Sequence, residues 1–244
     1  MPTTVLNDPA GTVLLIGASR GLGHAMAAEF LKKGWYVVGT IRGGGNRTML
    51  HDLADAFEGR VEIEIVDICE PDQVAALRER LSGRVFDILF VNAGVTNNPT
   101  ETIADVTTDE FVRVMVTNSL SPMRVLESLE QNVPATGLVG VMSSGQGSIA
   151  NNETGQREVY RGSKAALNMF MRSFAARQAG TARSMVTMAP GWVRTELGGP
   201  DGTFEHRGKR AESRECPAGE TGEARVGVSG LSRAHCSVVR LWLG

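Results

Sequence analysis

From residue 12 to residue 191, short apolar runs alternate with longer stretches of helical periodicity, and the first run ends in the glycine turn GASRGLG (17–23). The runs 12–18, 35–42, 60–68, 86–94, 137–144 and 183–191 read as strands. They are apolar almost throughout, which is the pattern of strands buried on both faces. The stretches 21–34, 47–59, 70–83, 107–132 and 160–178 read as helices between them. Leu22, Met26 and Phe30 recur at helical spacing, Gly34 stops that helix, and Pro71 sits in a first turn where its missing N–H costs little. Strand and helix in strict alternation call for a parallel sheet covered on both sides. Right-handed crossovers then favour a doubly wound α/β sheet of the Rossmann type, in one domain.

Composition narrows the partners. A net charge of −2 and a pI near 6.1 leave no footprint for nucleic acid or an anionic membrane. No apolar run is long enough to span a bilayer, and MPTTVLNDPAG lacks the basic segment of a signal peptide. Cys69, Cys216 and Cys236 have no CxxC or zinc-like spacing, and His206 adds none, so no metal is expected. Few cysteines in odd number fit a reduced, cytoplasmic protein.

The pattern changes near Gly198. Residues 203–244 are rich in glycine, arginine, serine and glutamate without periodicity, and read as a poorly ordered tail after a domain of residues 1–202. Only VVRLWLG at the end has packing character. With no seventh strand, the run 183–191 would become a sheet edge. The chain holds 21 arginines against 4 lysines, and a frame-shifted reading of a GC-rich gene would give such a segment.

Gly17, Gly21 and Gly23 stand between the first strand and the first helix. There the backbone, with Ser19, Arg20 and Leu22, can approach a pyrophosphate at the positive end of the helix. The second strand ends GTIR, with Thr40 and Arg42 and no carboxylate for a ribose 2′-hydroxyl. Arg20 and Arg42 favour a 2′-phosphate, hence NADP(H) over a possible NAD(H), with Arg47 a spare for the role.

In VYRGSKAAL (159–167), Tyr160 and Lys164 lie one helical turn apart on one face. A nearby ammonium and an oxidised nicotinamide ring both favour the phenolate, and their combined effect is expected to move the tyrosine toward working pH.

Taken in order, GASRGLG, VNAG (91–94), Asn118, the serines of VMSSGQGS, YRGSK and APGWVRT resemble the short-chain dehydrogenase/reductases over about residues 10–200. The likeness is strongest to the NADP-preferring carbonyl reductase branch that includes C-factor-type proteins. The resemblance implies a catalytic set of Asn118, Ser144, Tyr160 and Lys164. Ser143 competes with Ser144, and Gly147 three residues on favours the latter. It also implies that Asn92, Ala93 and Gly94 lie beneath the adenosine and that Asp67 and Ile68 contact the adenine. Pro190, Gly191, Val193 and Thr195 would fix the nicotinamide end. Tyr160 would protonate a carbonyl oxygen, Ser144 would steady it, Lys164 would hold the nicotinamide ribose, and Asn118 would position a water leading to Lys164. The expected function is reversible, NADPH-dependent reduction of an aldehyde or ketone. The alternatives are a dinucleotide-binding sensor with little turnover and a weakly active chain damaged at its C-terminus. Monomer and homo-oligomer both stay open.

Overall fold

The first strand, β1 (Thr12–Ile16), has no exposed surface from Val13 to Ile16, and its alternate side chains feed two separate cores. The computed structural model describes residues 9–43 and 45–190, together with the backbone of 237–240. After β1 come α1 (Gly21–Lys32), β2 (Tyr36–Ile41), α2 (Met49–Ala56), β3 (Val61–Ile65) and α3 (Pro71–Arg80). The second half holds β4 (Ile88–Val91), α4 (Thr108–Met115), α5 (Ser121–Leu129), β5 (Leu138–Met142), α6 (Glu158–Arg177), β6 (Ser184–Ala189) and β7 (Ser237–Arg240). All strands are parallel, in the order β3-β2-β1-β4-β5-β6-β7. This is the doubly wound sheet that the alternation predicts.

Leu14, Ile16 and Val38 pack with Leu77 of α3, Leu126 of α5 and Phe174 of α6 on one face. Val13, Leu15 and Val37 pack with Met26 and Leu31 of α1 and Leu50 of α2 on the other. The order reverses between β1 and β4, so the turns after these strands open a crevice at their C-terminal ends.

One expectation is refined and another corrected. The long helix expected over 107–132 is present as one helical run, in which a π-helical turn, Val116–Leu120, joins α4 to α5 and a 3₁₀ turn, Glu130–Asn132, follows α5. Pro122 has no N–H to donate into the turn before it, and the Asn118 side chain is engaged elsewhere, as described below. The strand β6 is also not an edge. Residues 237–240, SVVR, pair with it in register from Val186↔Ser237 to Ala189↔Arg240. Two adjacent valines suit a strand, which composition over the longer segment concealed. The rest of 203–244 lies outside the described residues.

Leu77 is wholly buried in the core beneath α3. Leu77→Ala should cost about 2–5 kcal/mol, read as a lower urea midpoint at unchanged slope. An unmoved midpoint would contradict this core assignment.

Candidate active site

The turn between β1 and α1 has room for nothing but glycine. A Cβ on Gly23 would stand 2.0 Å from the Gly17 carbonyl oxygen, and Gly17 and Gly21 have φ of +87° and +59°. Thr40, buried in β2, accepts the Gly17 N–H through Oγ1 at 2.9 Å, and its carbonyl accepts the Ala18 N–H at 2.8 Å. Asn92 Nδ2 donates to the Gly17 carbonyl at 2.8 Å, tying the turn after β4 to the turn after β1. Ala93 packs against Gly17 there. The N-terminus of α1 has no side-chain cap and no acid in its first turn, whereas Thr107 caps α4 and Thr48 begins a capping box on α2. That leaves its N–H groups for an external anion beside Ser19, Arg20 and Leu22.

Arg42 is exposed just past β2. Arg47, the spare cation, is not available, because it pairs with Asp52 and Asp55 of α2. After β3, Asp67 Oδ1 accepts the Cys69 N–H at 2.9 Å, and the Ile68 side chain is buried in the core. Ile68 therefore offers a ligand its backbone.

Asn118 lies in the π-helical turn and is fully buried. Its Oδ1 accepts the Val95 N–H at 2.8 Å, while Nδ2 donates to the Val95 carbonyl at 2.9 Å and to Ser163 Oγ at 2.9 Å. The amide donors are thus spent on the loop after Gly94 and on α6, so the expected water would be held by an oxygen of this residue as acceptor. Ser163 Oγ donates in turn to the Tyr160 carbonyl at 2.7 Å, and Ser119 Oγ donates to the Ser163 carbonyl at 2.7 Å. These bonds fix α6 between Tyr160 and Lys164. Ser163 was not singled out from sequence, because a small residue inside YRGSK carries no chemical signal of its own.

The geometry separates the two serines after β5. Ser143 is buried and donates to Asn168 Oδ1 at 2.6 Å. Ser144 accepts the Gln146 N–H at 3.1 Å, and its hydroxyl is near enough to the Tyr160 phenol to favour the ionised form. Gly147 permits the approach: a Cβ there would lie 2.9 Å from the Lys164 backbone.

Tyr160 is 7% exposed and Lys164 3%. Lys164 Nζ donates to the Met142 carbonyl at 2.9 Å and stands 5.8 Å from the centre of the Tyr160 ring. Gly94 adjoins both Nζ and Asn118 Oδ1. Burial lowers the Lys164 pKa from 10.5 to about 8. Burial also raises the Tyr160 phenol, against opposing influences from the Ser144 hydrogen bond and the Arg157 guanidinium. In the chain alone, burial is thus the largest influence on both groups.

Pro190 follows β6 directly, and Gly191, Val193 and Thr195 lie outside the described residues. Among the described residues there is no cluster of metal-binding side chains, and no helix is long and apolar enough to cross a membrane.

The family model described as short chain dehydrogenase matches residues 11–205. The chain belongs to the short-chain dehydrogenase family. A short-chain dehydrogenase/reductase from Burkholderia multivorans, solved with bound NADP, is 67% identical, with a TM-score of 0.80 over 81% of this chain and 86% of that one. A carbonyl reductase from Pseudomonas aeruginosa PAO1, in complex with NADP, is 32% identical, with a TM-score of 0.71 over 77% and 82% of the two chains. The 1-hydroxy-2-glutathionyl-2-methyl-3-butene dehydrogenase of Rhodococcus sp. (strain AD45) is 30% identical over 189 residues, 76% of this chain and 79% of that one. This short-chain dehydrogenase is accordingly an oxidoreductase of the NAD(P)-dependent kind.

The depressed Lys164 predicts a pH signature. Between about pH 8 and 10.5 the unfolded chain holds a proton on this lysine that the folded chain has released. Stability therefore gains as pH rises through that window, on the order of 3 kcal/mol. In Lys164→Met the gain should be missing, as read by urea unfolding at pH 7.5, 9 and 10.5. Parallel curves for the two proteins would contradict the assignment.

Proposed function

We propose that the chain is an NADPH-dependent reductase of aldehydes or ketones, reversible as an alcohol dehydrogenase. The carrying observation is the buried Tyr160, with the buried Lys164 Nζ 5.8 Å from its ring centre, at the C-terminal edge of a parallel sheet. The NADP-bound relatives from Burkholderia and Pseudomonas support the choice of cofactor. We assign the catalytic unit to residues 1–202, consistent with the span of the family match, and place it in the cytoplasm.

The residues present fit the cofactor. The uncapped start of α1 and the glycine cradle would hold the pyrophosphate. Arg42 and Arg20 would take the 2′-phosphate, since no carboxylate ends β2. Asp67 and the Ile68 backbone would meet the adenine, and Asn92, Ala93 and Gly94 would underlie the adenosine. Pro190, Gly191, Val193 and Thr195 would fix the nicotinamide end, and Lys164 the ribose beside it. Bound NADPH supplies the hydride.

The protein handles the proton and the charge. Tyr160 donates its phenolic proton to the carbonyl oxygen. Burial alone makes the phenol a weaker acid, so the donation depends on charges that stabilise the phenolate. Ser144 hydrogen-bonds the same oxygen as negative charge develops. The phenolate left behind is stabilised by the Lys164 ammonium, still charged at pH 7, and by Arg157. Asn118 acts as a positioning residue, holding the Val95 loop and α6 together. Oxidation of an alcohol needs the phenolate at the outset, so the reverse reaction should strengthen toward alkaline pH.

Purified chain, NADPH and a panel of aldehydes and ketones test this reading through absorbance at 340 nm. Tyr160→Phe should lower kcat by about 10²–10⁴ while NADPH binding persists. Replacing Arg20 and Arg42 together by alanine should cut the preference for NADPH over NADH by about tenfold or more. Tight NADPH binding without any turnover would instead favour a sensor. Full turnover in Tyr160→Phe would remove the assigned proton donor.

A further inference from the structure

A groove of about 200 Å³ runs between α3 and α5, on the outside of the sheet. One wall is a stripe of α3: Pro71, Val74, Ala75 and Arg78 recur at helical spacing and all line it. The opposite wall is Arg124 and Ser128, four residues apart on α5. Val74 and Ile68 belong to the core and give the groove an apolar floor. Ala75 is exposed, and its small side chain leaves the space open. Seven residues of helix separate Pro71 from Arg78, so the apolar end and the cationic end stand on the order of 10 Å apart, the length of an extended chain of about eight carbons.

The two arginines of this groove are exposed, and neither has an ion pair or hydrogen bond among the described residues. No acid lines the groove. Glu127, three residues after Arg124, is held by Arg177 of α6, and Glu64 is held by Arg80. The Ser128 hydroxyl, on a half-buried residue, also has no partner there and stays accessible. Two guanidiniums that face one small groove repel each other, and no carboxylate of the chain offsets them. An anion held between them removes that repulsion and gains hydrogen bonds from both. The apolar floor asks that the same molecule carry a hydrocarbon part.

We propose that the groove between α3 and α5 is a binding site for a straight-chain alkyl carboxylate of medium length. The carboxylate sits between Arg78 and Arg124 with the Ser128 hydroxyl as a further donor, and the chain lies over Val74 toward Ile68 and Pro71. The site is separate from the crevice that holds Tyr160, and it does not rest on the reductase reading.

The test is calorimetric titration of the full chain, at constant ionic strength, with octanoate, with octan-1-ol, which lacks the charge, and with acetate, which lacks the chain. Octanoate should bind about tenfold or more tighter than either control. Replacing Arg78 and Arg124 together by glutamine should weaken octanoate by about tenfold or more, because both charge-assisted contacts are lost. Ala75→Glu, which puts a repelling carboxylate and a larger side chain into the groove, should abolish binding. All three positions are exposed, so thermal melts without ligand should match those of the wild-type chain. Octanoate bound no better than the controls, or bound equally by the double glutamine variant or by Ala75→Glu, would overturn the assignment. These outcomes bear on the groove alone, since none of the substituted residues belongs to the crevice.

Discussion

Burial of the Lys164 ammonium is the constraint on which the site depends. The charge sits under α6 with the Met142 carbonyl as its protein partner, and burial alone brings its pKa to about 8. A lysine so placed costs stability at neutral pH, where it stays charged without a carboxylate. Such an arrangement is retained where the charge has chemical use. Next to a buried phenol, that use is to hold the negative charge left when the proton departs.

The surrounding hydrogen bonds serve to keep these two side chains in register. Asn118 leaves a regular helical path to clamp Val95 and Ser163, and the π-helical turn accommodates it. Asn168 braces the loop after β5 through Ser143 and Gly147, which leaves the Ser144 hydroxyl for the crevice. On the other side of the crevice, Gly17, Gly23 and Asn92 join the turns after β1 and β4. Preorganised donors of this kind spare the reacting site the cost of rearranging as charge develops.

Much of the fold was legible in the sequence because fully buried parallel strands are apolar throughout and their connecting helices are not. What escaped was decided by tertiary contacts. The π-helical turn between α4 and α5 follows from where the Asn118 amide is needed, which periodicity in 107–132 does not record. The strand 237–240 is four residues set in a polar segment, too short to register in its composition. Within the site, the residue types of Tyr160, Lys164 and the glycine turn announce themselves, and the choice between Ser143 and Ser144 waited for Asn168. The electrostatic balance was not legible: proximity of Tyr160 and Lys164 pointed to stabilisation of the phenolate, whereas the depth of burial, the largest influence on both in the chain alone, leaves no mark in the sequence.

The charge state of Tyr160 is open to direct observation, because the chain has only two tyrosines, Tyr36 and Tyr160. Carbon-13 at the ζ position of tyrosine, followed by NMR against pH with Tyr36→Phe for assignment, reports each phenol separately. Tyr160 should ionise above the ordinary tyrosine value of about 10 in the chain alone and at distinctly lower pH once NADP⁺ is bound. A Tyr160 that titrates at the ordinary value and does not respond to NADP⁺ would contradict the account.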